Sequence, residues 1–212
     1  MAYDLEEQEK IDALKAWWER YGTLTMALIF AVMAAFAGWR GWQWYQTHQA
    51  SQAMGYYEAL ESAAAQPGED AVARIKAASE ALRDGYAGSG YASRGVLVAA
   101  WALQERKDLD GAREQLEWLA GNQSAPALQA VARLRLAGVL LAQQQYEPAL
   151  AQLEGTPPAG FDGLYADRRG DILAAQGRHE QAVQARKEAL TSLGADPAAQ
   201  IVQLKIDALN GA

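Results

Sequence analysis

Apolar residues form one uninterrupted run near the N-terminus and recur at helical spacing in the rest of the chain. Residues 22–39 (GTLTMALIFAVMAAFAGW) contain no charged side chain. After Tyr45, stretches with apolar residues at i, i+3, i+4 and i+7 alternate with short segments rich in Gly, Pro or Asn. Such a pattern indicates amphipathic helices separated by turns. It predicts an all-α chain: one apolar helix near the N-terminus, followed by several helices that pack together.

The apolar run has the length of a transmembrane helix. Eighteen helical residues rise about 27 Å, close to the ~30 Å hydrocarbon thickness of a bilayer. Aromatic side chains favour the two membrane–water interfaces, and an arginine there can extend its guanidinium to the headgroups. Residues of these types flank the run on both sides: Trp17, Trp18 and Tyr21 before it, and Trp39, Arg40, Trp42, Trp44 and Tyr45 after it. We therefore predict a transmembrane helix over residues 22–45, with these eight residues at the interfaces.

Two other interpretations of the apolar run are weaker. A buried core helix would not explain aromatic residues at both ends. A cleaved signal peptide is the stronger rival, because Ala35-Phe36-Ala37 resembles a small-x-small cleavage site. However, about twenty acidic-rich residues precede the run, whereas a signal peptide begins with a short positive segment. An uncleaved anchor is favoured.

The distribution of lysine and arginine predicts the orientation of the helix. Lys10, Lys15 and Arg20 precede it. After it, Arg40 is the only lysine or arginine before Arg74. Positive residues near a span favour the cytoplasmic side. We predict that residues 1–21 form an acidic, amphipathic cytoplasmic tail. Residues 46–212 are predicted to lie across the bacterial inner membrane, in the periplasm.

Short breaks divide residues 46–212 into helical segments. One of the predicted helices carries Leu136 and Leu140 on a face that differs from that of Val131 and Leu134, so it should lie between two neighbours. The predicted breaks lie near residues 66–68, 85–90, 107–110, 121–126, 145, 155–160, 177–178 and 194–197.

Three of these segments share a repeat. They begin at Trp101 (WALQERKDLDGAREQL), Leu140 (LLAQQQYEPALAQL) and Leu173 (LAAQGRHEQAVQA). Each has a turn residue followed three positions later by alanine: Leu109 and Ala112, Tyr146 and Ala149, His179 and Ala182. The alanines are 37 and 33 residues apart, which brackets the 34-residue tetratricopeptide period.

The repeat predicts stacked helical hairpins, or an α-solenoid. The alanine should lie where the two helices of a hairpin cross, and the turn residue should fill the gap beneath it. Residues 50–65 and 70–82 are predicted to form an earlier, less regular hairpin, and residues 197–209 a C-terminal capping helix. Arg186 stands where a packing residue would be typical.

Composition and charge narrow the range of functions. The formal charge of −7, without any basic cluster, argues against a nucleic-acid surface. The absence of cysteine excludes thiol catalysis, disulfides and cysteine-ligated metals. No cofactor is expected.

Candidate catalytic and ligand-binding motifs are weak. His48 and His179 have no metal-ligand spacing. Residues 85–90 contain three glycines but no P-loop lysine, and the Arg-Gly-Asp tripeptide centred on Gly170 falls within a predicted helix. Gly170 is therefore assigned to close helix packing. The sequence nominates no catalytic site.

Three stretches together resemble the YfgM family. They are residues 38–42 (GWRGW), 165–177 (YADRRGDILAAQG) and 204–210 (LKIDALN), and the resemblance extends over essentially the whole chain. It implies a single-span periplasmic protein with tetratricopeptide-like repeats that serves as an ancillary subunit of the SecYEG translocon. It also implies cooperation with the membrane-anchored chaperone PpiD in handling newly translocated polypeptides. The family has no catalytic residues to carry over.

Two other functions are compatible with parts of the sequence. A tetratricopeptide assembly factor for other envelope complexes or for cytochrome maturation would show the same repeat pattern. Heme handling would need exposed His or Cys ligands, for which His48 alone is poor support. An enzyme would need a convergent polar constellation, which the sequence does not contain.

Overall fold

The computed structural model describes residues 2–121 and 126–210, including the side chains of all of these except 2–8, Glu69 and Asn210. Within these residues all regular structure is helical. The helices are α1 (Ala2–Ala65), α2 (Glu69–Tyr86), α3 (Gly90–Glu105), α4 (Leu109–Gly121), α5 (Pro126–Ala142), α6 (Tyr146–Ala151), α7 (Asp162–Ala175), α8 (His179–Leu193) and α9 (Ala198–Asn210). The chain divides into two units, Met1–Gln49 and Ala50–Ala212.

The predicted breaks coincide with the ends of these helices, because each contains residues that stop or cap a helix. The predicted break at residues 121–126 lies partly outside the described residues; α4 ends at Gly121 and α5 begins at Pro126. Helix α1 is much longer than any predicted segment, with 64 residues. It runs uninterrupted because no proline occurs before Pro67, so nothing blocks its backbone hydrogen bonds.

The three predicted repeat turns have the same backbone geometry. In each turn an N–H bonds to the carbonyl five residues earlier: Asp108 to Leu103, Gln145 to Leu140 and Arg178 to Leu173, at 2.8–2.9 Å. The residue before each of these donors has a positive φ: Lys107 at 63°, Gln144 at 61° and Gly177 at 77°. This is the Schellman motif, which satisfies the last carbonyls of a helix. The hairpins therefore repeat in structure at the positions where the sequence repeats.

The main hydrophobic core runs through the hairpins from α1 to α7. Equivalent leucines of the first two repeats, Leu116 and Leu153, are buried in it. At its start, Gly95 of α3 lets Leu60 and Leu82 approach, because a Cβ at Gly95 would lie 2.6 Å from the Leu82 Cδ1 atom and 3.2 Å from the Leu60 Cδ2 atom. The earlier hairpin, formed by the end of α1 and by α2, thus packs against α3 at Gly95.

Helices α7 and α8 pack closely at two glycines of α7. A Cβ at Gly163 would lie 2.6 Å from the Leu193 Cγ atom, and one at Gly170 would lie 2.8 Å from the Arg186 Cγ atom. The two glycines are seven residues apart and so share a face of the helix. Gly170 therefore packs closely against α8, next to Ala182, whose carbonyl oxygen would be 3.2 Å from the added Cβ.

Helix α9 packs on α8 and exposes both apolar and polar residues. Val202 and Ile206 are buried, whereas Ile201 is 59% exposed and Leu204 is 69% exposed. A single helix can bury only the side of its surface that meets its neighbour. Its exposed surface also carries Gln203 and Asp207, which are hydrogen-bonded to each other, and the role of α9 as a C-terminal cap stays a prediction.

Asp108 joins α4 to α2 through a helix cap and an ion pair. Its Oδ1 atom accepts a hydrogen bond from the Gly111 N–H at 2.9 Å, and its Oδ2 atom lies 2.7 Å from the Lys76 Nζ atom. Burial alone would raise the pKa of Asp108, but the hydrogen bonds from Lys76 and Gly111 outweigh burial and lower it. The carboxylate form therefore stabilises the fold.

Asp108→Ala is expected to lower the free energy of unfolding at neutral pH by about 1–2 kcal/mol, since it removes both the cap and the ion pair. Because the folded-state pKa is lowered, the ionic contribution is present above the unfolded-state pKa and is lost as the pH falls through the folded-state pKa. Urea unfolding at neutral and acidic pH measures this. Asp108→Asn is the matched control. It keeps a cap acceptor, so its free energy of unfolding should be only about 0.5 kcal/mol lower than that of the unmodified chain. Equal stability of Asp108→Ala and the unmodified chain would contradict the assignment.

Candidate functional site

The first unit carries the predicted transmembrane helix. Among the described residues, one helix is long and apolar enough to cross a membrane, and only 6% of its most apolar stretch is buried. Large apolar side chains such as Leu24, Leu28 and Phe30 have no protein partner that covers them. A helix that is apolar on all sides and unburied matches a lipid environment rather than a protein core.

The predicted interface residues lie at the two ends of this apolar stretch and are exposed. Exposure of the seven aromatic side chains ranges from 42% for Tyr21 to 69% for Trp44, and Arg40 is also exposed. At the first end, Trp17 packs against Trp18 and Tyr21, and Arg20 lies 5.7 Å from the centroid of the Tyr21 ring. At the second end, the Trp44 ring stacks on His48. The structure thus groups aromatic rings at both ends of the apolar stretch, and their place at the membrane interfaces stays a prediction.

The residues predicted to pack the repeats differ in burial. The three alanines are fully buried: Ala112, Ala149 and Ala182. Leu109 and Tyr146 are half-buried and pack against the main core. His179, at the same turn position, is exposed and does not fill the gap beneath its alanine. The small core shared by α7, α8 and α9 lies around Ala166 and Ala189, which is the opposite end of this hairpin from His179.

A groove lies on the exposed side of α3, α5 and α7. It encloses a cavity of about 210 Å³, and Leu116 of α4 and Ala100 contribute apolar surface. The other lining residues are Trp101 and Gln104 of α3, Arg135 and Gly138 of α5, and Arg168 of α7. Trp101 is 55% exposed, although it is a large apolar residue. Among the residues that the structure describes, the lining contains two arginines and no carboxylate.

Arg135 and Arg168 occupy the same position in successive hairpins. They are 33 residues apart, the spacing that also separates Ala149 from Ala182. The Arg168 guanidinium lies over Gly138, where an added Cβ would be 3.6 Å from the Arg168 Cζ atom. Sequence analysis missed both arginines and Trp101 as surface residues. The repeat period could have identified the arginine pair, because equivalent positions of stacked hairpins line the same face.

A charged cluster joins α7, α8 and α9 beside this groove. The Lys205 Nζ atom lies 2.7 Å from Asp167 Oδ2 and 2.8 Å from Asp171 Oδ1. Arg186 donates to Asp171 at 3.1 Å and to the Lys205 carbonyl at 3.2 Å, while Arg168 reaches Asp171 at 3.4 Å. Three cations thus share two carboxylates. Arg186 is buried at the position that Leu116 and Leu153 occupy in the other repeats.

A second cavity, of about 310 Å³, lies between α5, α7 and the loop after α6, with Arg133, Glu154 and Pro157 in its wall. The Tyr165 hydroxyl donates to the Ala130 carbonyl at 3.1 Å. Burial raises the pKa of Tyr165, and nearby Arg133 opposes that shift only in part. The hydroxyl of Tyr165 is thus occupied by a hydrogen bond within the fold. The groove is therefore the better candidate for an interaction surface.

The described residues contain no group of three or more His, Cys, Asp or Glu side chains placed to hold a metal ion. His48 and His179 belong to separate units. The residues that stand out in the structure are those of the apolar helix and of the groove.

Comparison with known proteins agrees with this organisation. Residues 15–211 match the family described as "Tetratricopeptide repeat-like domain". Three relatives are each named "Ancillary SecYEG translocon subunit". The Neisseria gonorrhoeae protein is 32% identical, covering 99% of this chain and 100% of its own length. The Haemophilus influenzae protein is 30% identical, covering 99% of this chain and 100% of its own length. The Escherichia coli protein is 26% identical, covering 96% of this chain and 97% of its own length.

Proposed function

Because this chain belongs to the tetratricopeptide repeat-like family and to the family of ancillary SecYEG translocon subunits, we propose that it is a membrane-anchored interaction scaffold beside the translocon. The observation that carries the proposal is the similarity over the full length of the relatives. It includes the apolar helix as well as the repeats, so the anchor and the interaction domain are shared together. In this role the repeat domain binds protein partners and performs no catalysis.

Anchoring explains how a small domain can work beside a membrane complex. Confinement to the membrane raises the effective concentration of the repeat domain near other membrane proteins. We propose the single span over residues 22–45, with the tail of residues 1–21 in the cytoplasm and residues 46–212 in the periplasm. The periplasmic domain would then meet polypeptides as they leave the translocon. We also propose that it cooperates there with a membrane-anchored chaperone of the PpiD type.

Site-specific photo-crosslinking in cells tests the scaffold function. A photoreactive amino acid replaces Gln104, which lines the groove, in the full-length chain in its membrane. Crosslinks to translocon subunits are expected. The matched control is Lys187, an exposed residue of α8 outside the groove. Crosslinks from Gln104 that reach only proteins unrelated to translocation would overturn the proposed function.

The orientation makes a separate prediction, which the absence of cysteine makes easy to test. Single cysteines replace Lys10, before the span, and Gln200, an exposed residue of α9. In cells with a permeabilised outer membrane, an impermeant maleimide should label Gln200→Cys and leave Lys10→Cys unlabelled until the inner membrane is lysed. The opposite labelling pattern would show that the repeat domain faces the cytoplasm.

A further inference from the structure

We propose that the groove between α3, α5 and α7 binds an acidic segment of a partner polypeptide. Carboxylates of that segment pair with Arg135 and Arg168, and an apolar side chain packs on Trp101. This inference rests on the proposed scaffold function and names the chemistry of the partner that the groove accepts.

The charge of the groove is opposite to that of the chain. The formal net charge is −7, yet the described residues that line the groove include two arginines and no acidic residue. Within the described residues, the Arg135 guanidinium makes one long hydrogen bond, from Nη1 to the Leu97 carbonyl at 3.4 Å, and no ion pair. An exposed guanidinium with free donors is suited to a bidentate carboxylate contact.

Arg168 also has capacity for another anion. In the described part of the chain its one carboxylate contact is with Asp171 at 3.4 Å, and Asp171 lies closer to Lys205 and to Arg186. The Arg168 Nε atom is buried and has no hydrogen-bond partner among the described residues. Because three cations share the two carboxylates of this cluster, one positive charge is left over at the groove.

The spacing of the two arginines favours an extended segment. They occupy equivalent positions on α5 and α7, which are packed neighbours. Packed helices lie about 8–10 Å apart, a distance that an extended polyproline II segment covers in about three residues, which is one full turn and places side chains i and i+3 on the same face. Gly138 makes room for the Arg168 guanidinium, because it has no side chain where that group lies. Acidic residues at positions i and i+3 of an extended segment would therefore match the pair.

Trp101 supplies an apolar anchor at the same groove. Its ring is more than half exposed and borders the cavity beside Gln104 and Leu116. Tryptophan and arginine are the residues most enriched at the energetic centres of protein interfaces. A cavity of about 210 Å³ accommodates one or two side chains of a peptide. Two arginines are too few to neutralise the run of phosphates that a nucleic acid presents.

Peptide binding to the full-length chain tests this proposal. The chain is placed in nanodiscs of zwitterionic phosphatidylcholine, and fluorescence anisotropy reports binding of a labelled peptide that contains Glu-Phe-Ser-Glu. The control peptide contains Gln-Phe-Ser-Gln. The acidic peptide should bind about tenfold more tightly than the amide peptide, and its affinity should fall with added salt. Equal affinities of the two peptides would overturn the proposal.

Variants identify the site. Arg135→Gln and Trp101→Ala should each weaken binding of the acidic peptide by about fivefold to tenfold. Both side chains are exposed, so the fold should be retained, which circular dichroism checks. Arg169→Gln is the matched control, because it removes the same charge from α7 beside Arg168 without altering the groove lining. Unchanged affinity in Arg135→Gln, or an equal loss in Arg169→Gln, would overturn the proposal.

The two proposals fail separately. If Gln104 crosslinks to translocon subunits but the acidic peptide has no advantage, the scaffold function stands and the acidic partner is wrong. If the acidic peptide binds through Arg135 but Gln104 captures no translocation protein, the chemistry of the groove stands and the proposed function is overturned.

Discussion

Asp171→Ala is expected to destabilise the second unit by about 3 kcal/mol, one of the two largest effects of a substitution in this chain. Asp171 receives hydrogen bonds from Arg186 and Lys205, and the Arg186 side chain is only 6% exposed. Removing one partner of a buried ion pair leaves the other charge uncompensated, which costs about 3–5 kcal/mol. The lower figure applies here because Asp167 remains beside both cations.

A double-mutant cycle separates the charge effect from packing. Arg186 occupies the position of Leu116 and Leu153, so Arg186→Leu restores the apolar residue of the other repeats. The double variant Asp171→Ala with Arg186→Leu should recover most of the stability lost in Asp171→Ala, because the buried cation is gone. Urea unfolding followed by circular dichroism measures all members of the cycle.

Arg169→Leu is the matched control for this cycle. Arg169 is the neighbour of Arg168 on α7, and its one ion pair with a described residue is distant, to Glu188 at 3.9 Å. Its replacement should change the free energy of unfolding by less than about 0.5 kcal/mol. A loss in Asp171→Ala that the second substitution fails to reduce would contradict the role assigned to the buried arginine.

Placing two lysines in the apolar helix is expected to release the chain from the membrane, which is the second large effect. Leu28→Lys and Val32→Lys lie near the centre of the predicted span. Each lysine at the centre of a transmembrane helix costs about 2.5–3.5 kcal/mol on insertion. Together they should abolish stable anchoring, so that the chain appears in the soluble fraction after alkaline extraction of membranes.

The control for this variant uses the exposed apolar residues of α9. Ile201→Lys with Leu204→Lys adds the same charge to the second unit and should leave the chain in the membrane fraction. Retention of the Leu28→Lys, Val32→Lys variant in membranes would show that another segment anchors the chain. An immunoblot of the unmodified chain tests the rival signal peptide, because cleavage after Ala37 would shorten the chain detectably.

Sequence reasoning was most successful for the order and ends of the helices. Each break follows from local chemistry: Pro67, the glycines between α6 and α7, and Gly177 act on their own backbone irrespective of what packs nearby. The repeat could also be recognised in the sequence, because only a small residue fits where the two helices of a hairpin cross. The same Schellman turn appears at Lys107 and Gln144 without a glycine, so only one of the three turns carries the usual sequence signal.

The parts that sequence reasoning did not predict depend on what lies opposite each residue. His179 matched Leu109 and Tyr146 by position, yet it is exposed, whereas those two residues pack against the main core. Likewise, α9 has large apolar residues at several positions, but only Val202 and Ile206 are buried. Periodicity identifies a residue that can be buried, whereas the neighbouring helix decides whether it is.

The sequence by itself determined the helical class, the apolar N-terminal segment with its aromatic ends, and the repeat, since all three depend on short-range geometry and on the composition of contiguous residues. Only the tertiary structure brought Arg135, Arg168 and Trp101 to one groove and placed a buried arginine against Asp171. These residues are distant in the chain, and their contacts depend on the stacking of successive hairpins. The charge of −7 argued against a basic surface on average, but a groove is defined by the few side chains that line it.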